Sequence, residues 1–195
     1  MLLETERFII NKLNLDDLQF LAKLDSDPLV RKYLDGKVKT LDETREYLSE
    51  NIESYWRFGF GRYAVRTKEN LKPIGICGFL MEDYGVDFGY RLSRAVWGHG
   101  IATEVANSVI KYGVDQLKLR KITGIVLPDN IASERVLVST GFIFVGMEKL
   151  WEKNTSKVIN SNYVDGSFFY MNGSFRNINN NCFTNKPFIT FGMLI

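Results

Sequence analysis

Gly98-His99-Gly100 is the stretch of this chain best suited to chemistry. It opens directly into residues 101–116, where Val105, Val109, Ile110 and Val114 recur at helical spacing. Two glycines let backbone approach a ligand closely. The first amides of a helix have no partner within it, and the helix dipole adds positive potential there. Together these make a site for phosphate. A lone G-x-G occurs in many loops, so the downstream spacing matters more. Residues 121–127 read as a short apolar strand. Pro128-Asp129-Asn130-Ile131-Ala132-Ser133 comes next, then a second helix over 131–139, then Gly141-Phe142.

The rest of the chain must hold this turn in place. Its 195 residues suit one domain with a substantial core. Hydrophobic residues make up 45% and charged residues 25%, the balance of a soluble globular protein. A net charge of +2 without clustered Lys or Arg argues against a nucleic-acid surface. No apolar run of about 20 residues is present, so no membrane span is expected. Residues 1–7 carry three ionisable side chains and no apolar leader. Cys77 and Cys182 do not make a disulfide framework, and with one histidine they cannot supply an ordinary zinc site. The expectation is a cytoplasmic, metal-free protein, monomeric or a homodimer.

Residues 7–13 read as a first strand, and 16–24 as a short helix with acidic residues at its start. Pro28 begins a further turn through Tyr33. Thr40 and Glu43 form a capping box for a helix over 41–58. Strands are expected at 62–66, 74–81 and 87–92, with turns marked by Asn70, Pro73 and Gly85. The helix 101–116, the strand 121–127 and the helix 131–139 come next, then strands at 142–151 and 167–172. Antiparallel strands leading into a βαβα segment predict an α+β fold with a mixed sheet. Residues 1–172 form the expected domain. The tail, 173–195, holds four asparagines within 177–181 and an apolar stretch at 187–191. Two readings are open for it: a loosely held terminus, or a strand added to a sheet edge, in this chain or a partner.

In order, strand, phosphate turn, helix, strand, Asn, helix and Gly-Phe resemble the coenzyme A core of the GNAT acyltransferases. Glu6-Arg7, Asp27-Pro28 with Arg31 and Tyr33, Pro73-Ile74-Gly75-Ile76-Cys77-Gly78 and Asp87-Phe88-Gly89-Tyr90 extend the likeness. So do Trp97-Gly98-His99-Gly100-Ile101-Ala102-Thr103-Glu104, and then Asn130, Ser133, Arg135-Val136-Leu137 and Gly141-Phe142. The set is similar to the branch that acetylates ribosomal-protein N-termini, and it covers roughly residues 3–171. The resemblance implies a mostly antiparallel sheet with one splayed strand pair, and acetyl-CoA as co-substrate. Its pyrophosphate would be held by amides of Gly98, His99, Gly100, Ile101, Ala102 and Thr103, with Trp97 in the same motif. The pantetheine arm would lie along Tyr90-Arg91-Leu92, with Asn130 and Ser133 among its contacts. Amides near Arg91 or Leu92 would receive the acetyl carbonyl.

Acetyl transfer to an amine needs a proton acceptor, an aligned amine and a route for the thiolate's proton. Asp87, on the strand flanking the cofactor, is the leading candidate base, and Glu82 the second. The alternative for each is a solvated hairpin carboxylate. Glu82, Asp83 and Asp87 together would also attract a cationic amine. Many members of the family place a Tyr four residues before the Gly of Gly-Phe, where this chain has Leu137. Ser133 is a candidate substitute acid, or else a helix-start hydroxyl or cofactor contact. Tyr163 and Tyr170 are weaker candidates, and no dedicated acid is required for a thiolate. His99 reads as bordering phosphate or solvent, and Cys77 as a packed thiol. Trp56, Phe58, Phe60 and Tyr63 are candidates to line an acceptor groove, with Trp56 and Phe58 equally readable as core.

The expected function is acetyl transfer from acetyl-CoA directly to a primary amine, foremost a protein or peptide α-amine. The rivals are an enzyme for a small amine, polyamine or aminoglycoside, and a CoA-binding module without catalysis. No nucleic-acid or membrane partner is expected.

Overall fold

Strand pairing fixes where the glycine turn sits. The computed structural model describes residues 3–149, 158–164, 167–173 and 187–194. Among these, eight strands form one sheet in the order β1-β2-β3-β4-β5-β6-β10-β7, and β8 and β9 form a separate pair. The strands are β1 (Leu3–Glu4), β2 (Phe8–Lys12), β3 (Arg62–Thr67), β4 (Pro73–Glu82), β5 (Gly85–Leu92), β6 (Lys121–Val126) and β7 (Ile143–Lys149). The last three are β8 (Val158–Val164), β9 (Ser167–Gly173) and β10 (Pro187–Leu194). Neighbours in the large sheet run antiparallel except β5 and β6. A parallel pair needs a crossover, and α4 (Ile101–Asp115) supplies it. The expected α+β fold with a mostly antiparallel mixed sheet is present.

The remaining helices are α1 (Leu18–Asp25), α2 (Pro28–Arg31), α3 (Leu41–Arg57) and α5 (Ile131–Ser139). The Thr40 hydroxyl accepts from the Glu43 amide, and the Glu43 carboxylate accepts from the Thr40 amide, so the capping box starts α3 as read. Thr44, Leu48, Asn51 and Tyr55 make its buried stripe. Trp56 lies to the side of that stripe, one turn beyond Ile52, and is 88% exposed, and Phe58 is also exposed. Phe60 and Tyr63 are buried instead. The core reading of Trp56 and Phe58 is therefore corrected, and Phe60 and Tyr63 belong to the core rather than to a groove.

Strand alternation splits the core into two clusters. Tyr63, Val65, Cys77 and Phe79 pack with Val105, Ala106, Val109 and Ile110 of α4. Ala64 and Ile76, on the other face, pack with Leu21 and Leu24 of α1 and Leu48 of α3.

Two expectations change near the C-terminus. The strand at 167–172 exists, but it pairs with β8, which the sequence reading lacked, and not with the large sheet. The apolar stretch of the tail becomes β10, which is not at an edge: it lies between β6 and β7, antiparallel to both. The physical reason is its composition. Pro187–Leu194 holds no charged residue. Edge strands are usually protected by charge, whereas a strand paired on both sides tolerates a continuous apolar run. Residues 150–151, Cys182 and 177–181 lie outside the described residues.

Asn51 joins α3 to the start of β3. Its Nδ2 donates to Tyr55 Oη at 3.0 Å and to the Arg62 carbonyl at 2.9 Å, and its Oδ1 accepts from the Arg62 amide at 2.7 Å. All of this is buried, so removing one partner strands several polar groups. Asn51→Ala should cost roughly 2–4 kcal/mol. The check is urea unfolding, with a lower midpoint at unchanged slope.

Candidate active site

The β5–β6 ladder consists of one register pair, Asp87 opposite Thr123. Beyond it β5 continues to Leu92 while staying paired to β4 on its other side. The chain then makes a single turn at Arg94–Val96 and reaches the glycines. Trp97 Nε1 donates to the Leu92 carbonyl at 2.8 Å, which ties the turn back to the end of β5. Gly98 and Gly100 have φ of +79° and +71°, a left-handed backbone that favours glycine. A Cβ at either would meet nothing within 4 Å, so both border open space. Gly100 is the N-cap of α4 and brings no side-chain capping bond. A 15-residue helix thus presents its first amides and its positive dipole end at an open glycine turn. That arrangement fits a pyrophosphate. His99 is exposed, in keeping with the reading that it borders phosphate or solvent.

Alternation along β5 separates the site into two sides. Phe88 and Leu92 join the cluster of α4, and Tyr90 packs against it. Tyr90 Oη donates to Ser133 Oγ at 3.1 Å, bridging β5 to the first turn of α5. Loss of water around the Tyr90 phenol pushes its pKa up to about 12. Asn130 is the N-cap of α5: its Oδ1 accepts from the Ser133 amide at 3.2 Å. Leu137, at the family's usual Tyr position, is buried. A Cβ on Gly124 would lie 2.9 Å from Leu137 Cδ1, so the leucine fills the space over β6 that this glycine leaves.

On the opposite face, Asp87 is held by a buried cation. Arg62 Nη2 donates to Asp87 Oδ2, and Nη1 donates to the Asp87 carbonyl at 3.1 Å and to the Gly78 carbonyl. Tyr84 Oη donates to the other carboxylate oxygen, Oδ1, at 2.9 Å. A Cβ at Gly89 would meet Arg62 Nη2 at 2.8 Å, so the guanidinium needs glycine there. Burial raises the Asp87 pKa, with the Arg62 charge opposing. Glu82 lies at the end of β4 with an exposed outer surface. Loss of hydration around its carboxyl, then the Asp87 charge, pushes its pKa up to about 7 against the pull of Arg62. Asp83 and Glu50 of α3 add negative potential.

Arg91 Nη2 donates to Asp25 Oδ2 at 3.1 Å, and its guanidinium lies 4.8 Å from the Tyr47 ring centroid. Its side chain therefore serves the α1–α2 corner. Cys77 is buried, with a thiol pKa pushed up to about 12 by loss of water, as expected of packing. The side chains of Tyr163 and Tyr170 lie outside the described part. Among the described residues no group of three His, Cys, Asp or Glu could hold a metal ion, and no helix is long and apolar enough to cross a membrane. Arg62 and Tyr84 are the participants the sequence reading missed. An arginine between Gly61 and the apolar Tyr63-Ala64-Val65 was the available signal.

Residues 7–143 match the acetyltransferase (GNAT) domain family. An N-acetyltransferase from Bacillus licheniformis described as p20 is 32% identical over 161 residues, covering 80% of this chain and 90% of that protein. Two solved structures share the fold at lower identity. The ribosomal-protein-S5-alanine acetyltransferase of Vibrio fischeri superposes with a TM-score of 0.71 at 17% identity, covering 98% of this chain and 95% of that one. The spermidine N-acetyltransferase of Vibrio cholerae, in complex with CoA and spermine, gives 0.69 at 18%, covering 96% and 95%. The chain belongs to the GNAT acetyltransferase family, and it is an acetyl-CoA-dependent acetyltransferase.

CoA should therefore raise the melting temperature, by an amount that grows with the logarithm of its concentration over its Kd. Gly100→Glu should abolish that rise and weaken CoA binding by about 10²-fold or more, because a strained, charged side chain replaces open space at the helix start. Gly100→Ala carries the strain alone and should lose much less. Calorimetric titration of both variants is the check.

Asn130 either caps α5 only or also holds the cofactor. Asn130→Ser keeps a good cap. If the amide also binds the pantetheine arm, Asn130→Ser should retain stability yet weaken CoA by roughly 1–2 kcal/mol, read by calorimetry beside thermal unfolding.

Proposed function

We propose that this protein transfers the acetyl group of acetyl-CoA directly to the α-amine of a protein or peptide, in the cytoplasm. The observation carrying the reading is that β5 and β6, the parallel neighbours of the sheet, share a single register pair, at Asp87, with the glycine turn at one end of β5 and the Glu82–Asp87 carboxylates at the other. Likeness to the ribosomal-protein branch, in the motifs and in the fold, supports the α-amine.

Acetyl-CoA supplies the activated thioester. Amides from Gly98 through Thr103 hold its pyrophosphate, with Trp97 beside them. Its pantetheine arm runs along Tyr90, Arg91 and Leu92, close to Asn130. An amide at Arg91 or Leu92 receives the acetyl carbonyl as negative charge develops on it. Glu82 takes the proton from the acceptor ammonium: a base with a pKa near 7 is half ionised at working pH. Loss of hydration raises Glu82 first, and the charge of Asp87, with one oxygen on Arg62 and the other on Tyr84, adds to it. The Ser133 hydroxyl, hydrogen-bonded by Tyr90, is the donor available to the leaving sulfur.

A small polyamine acceptor is the second reading. It is favoured by the carboxylates of Glu50, Glu82, Asp83 and Asp87 gathered at one end of the site. A screen of N-terminal peptides against polyamines, monitored by thiol release, separates the two.

With the true acceptor, kcat/KM should rise with pH through about 7 as Glu82 loses its proton. Glu82→Gln should lower turnover by about 10²-fold or more and remove that limb. Asp87→Asn deletes a negative charge and leaves Arg62 unpaired, and both changes lower the Glu82 pKa. The limb should then persist but move to lower pH. If the limb instead vanishes in Asp87→Asn and survives in Glu82→Gln, Asp87 is the base.

A further inference from the structure

The N-terminal strands reach the glycine turn through one arginine. Arg7 lies just before β2, and Glu104 in the first turn of α4. Arg7 Nε donates to Glu104 Oε2 at 2.6 Å. The Arg7 amide and Thr5 Oγ1 donate to Glu104 Oε1 at 3.1 and 2.7 Å. The same guanidinium extends Nη1 to the His99 carbonyl, 3.2 Å away, in the middle of the turn. These contacts join residues more than 90 positions apart.

Both contacts bear on an anion at this turn. A peptide group is planar and trans here, so its carbonyl and its amide point in opposite directions. With the His99 carbonyl turned to Arg7, the Gly100 amide must face away from Arg7. The carboxylate of Glu104 acts through its charge. In the first turn it favours the helix, but it opposes a diphosphate bound at the same end. Despite some loss of hydration, hydrogen bonds from Thr5 and Arg7 hold its carboxyl below the usual range, and they turn it toward β1 and β2.

We propose that Arg7 is a positioning residue for the pyrophosphate of coenzyme A: it fixes the His99–Gly100 peptide so that the Gly100 amide faces the ligand, and it neutralises Glu104. The proposal rests on the reading of Gly98–Gly100 as the phosphate turn. Arg7 touches neither the ligand nor the reacting atoms. It works through a carbonyl and a carboxylate, so its effect belongs to CoA affinity.

The test is calorimetric titration of the unliganded protein with CoA and with its nucleotide half, adenosine 3′-phosphate 5′-diphosphate. Arg7→Ala should weaken both by about tenfold or more. Arg7→Lys keeps the charge but lacks the planar fork that reaches Glu104 and His99 together, and should fall between. The double variant Arg7→Ala/Glu104→Gln removes the unneutralised carboxylate and should recover about threefold or more of the loss. Recovery on deleting a second native contact is an outcome that simple loss of structure does not produce. The side chain of Arg7 is 43% exposed, so the variants should fold; if Arg7→Ala does not, Arg7→Lys and Arg7→Lys/Glu104→Gln carry the comparison. Wild-type CoA affinity in the Arg7 variant, or a double variant no better than the single, overturns the proposal. Gly100→Glu keeps the two failures apart. If it binds CoA normally, the phosphate-turn reading is wrong. If it loses CoA while Arg7→Ala does not, only the role of Arg7 is wrong.

Discussion

A guanidinium buried against a sheet must be paired, and the pairing of Arg62 organises the acceptor side of this site. An unpaired buried cation is strongly destabilising, so the charge needs both a carboxylate and carbonyl acceptors. Arg62 finds the Gly78 and Asp87 carbonyls and the Asp87 carboxylate. Each partner imposes a condition. Gly89 must lack a side chain because the guanidinium occupies its space. Asn51 must hold the Arg62 backbone so that the side chain starts from the right place. Asp87 must remain ionised, because protonation would leave the arginine alone. An aspartate bound this way is a poor proton shuttle and a good source of fixed negative potential. Glu82 lies in that potential without an arginine of its own, and this supports the proposal that it, rather than Asp87, accepts the proton.

Strand periodicity then keeps the two halves of the chemistry apart. Successive residues of β5 face opposite sides, so Asp87 and Arg91 look toward α3 and α1 while Phe88, Tyr90 and Leu92 look toward α4 and α5. Carboxylates and hydroxyls therefore approach the parting strands from opposite faces. A shift of one residue in the β4–β5 register would exchange them. A two-residue turn between Glu82 and Gly85 fixes that register.

Local signals were legible in the sequence, and long-range ones were not. The capping box at Thr40 and Glu43 and the glycine turn before α4 each depend on residues within four positions of one another. Capping chemistry and backbone constraint therefore specify them directly. The partner of Asp87 lies 25 residues away, and that of Glu104 lies 97 away. Pairing at such distances depends on which strands become neighbours, which hydrophobic pattern alone does not state. Pro187–Leu194 shows the same limit. Its apolar character was plain, but an interior place between β6 and β7 and an edge place satisfy the same pattern. Trp56 shows it too: it sits one helical turn beyond Ile52, which packs against both core clusters, so periodicity alone did not tell core from surface there.

Leu137 shows what this fold does at the position where many members of the family place a tyrosine. A tyrosine at that position would have to share space with the side of β6, where Gly124 and Phe142 already receive the leucine. Filling that gap with an alkyl group packs α5 onto β6 and removes a buried hydroxyl that would need a partner. Two hydroxyls lie nearby: Tyr90 on β5 and Ser133 one turn earlier in α5 are hydrogen-bonded across the gap between their elements. Because Tyr90 is anchored by the strand and Ser133 by the Asn130 cap, the pair is set by backbone rather than by a long side chain reaching out of a helix. The geometry of this pair therefore depends on the spacing of β5 and α5, the spacing that the proposed path of the pantetheine arm also uses.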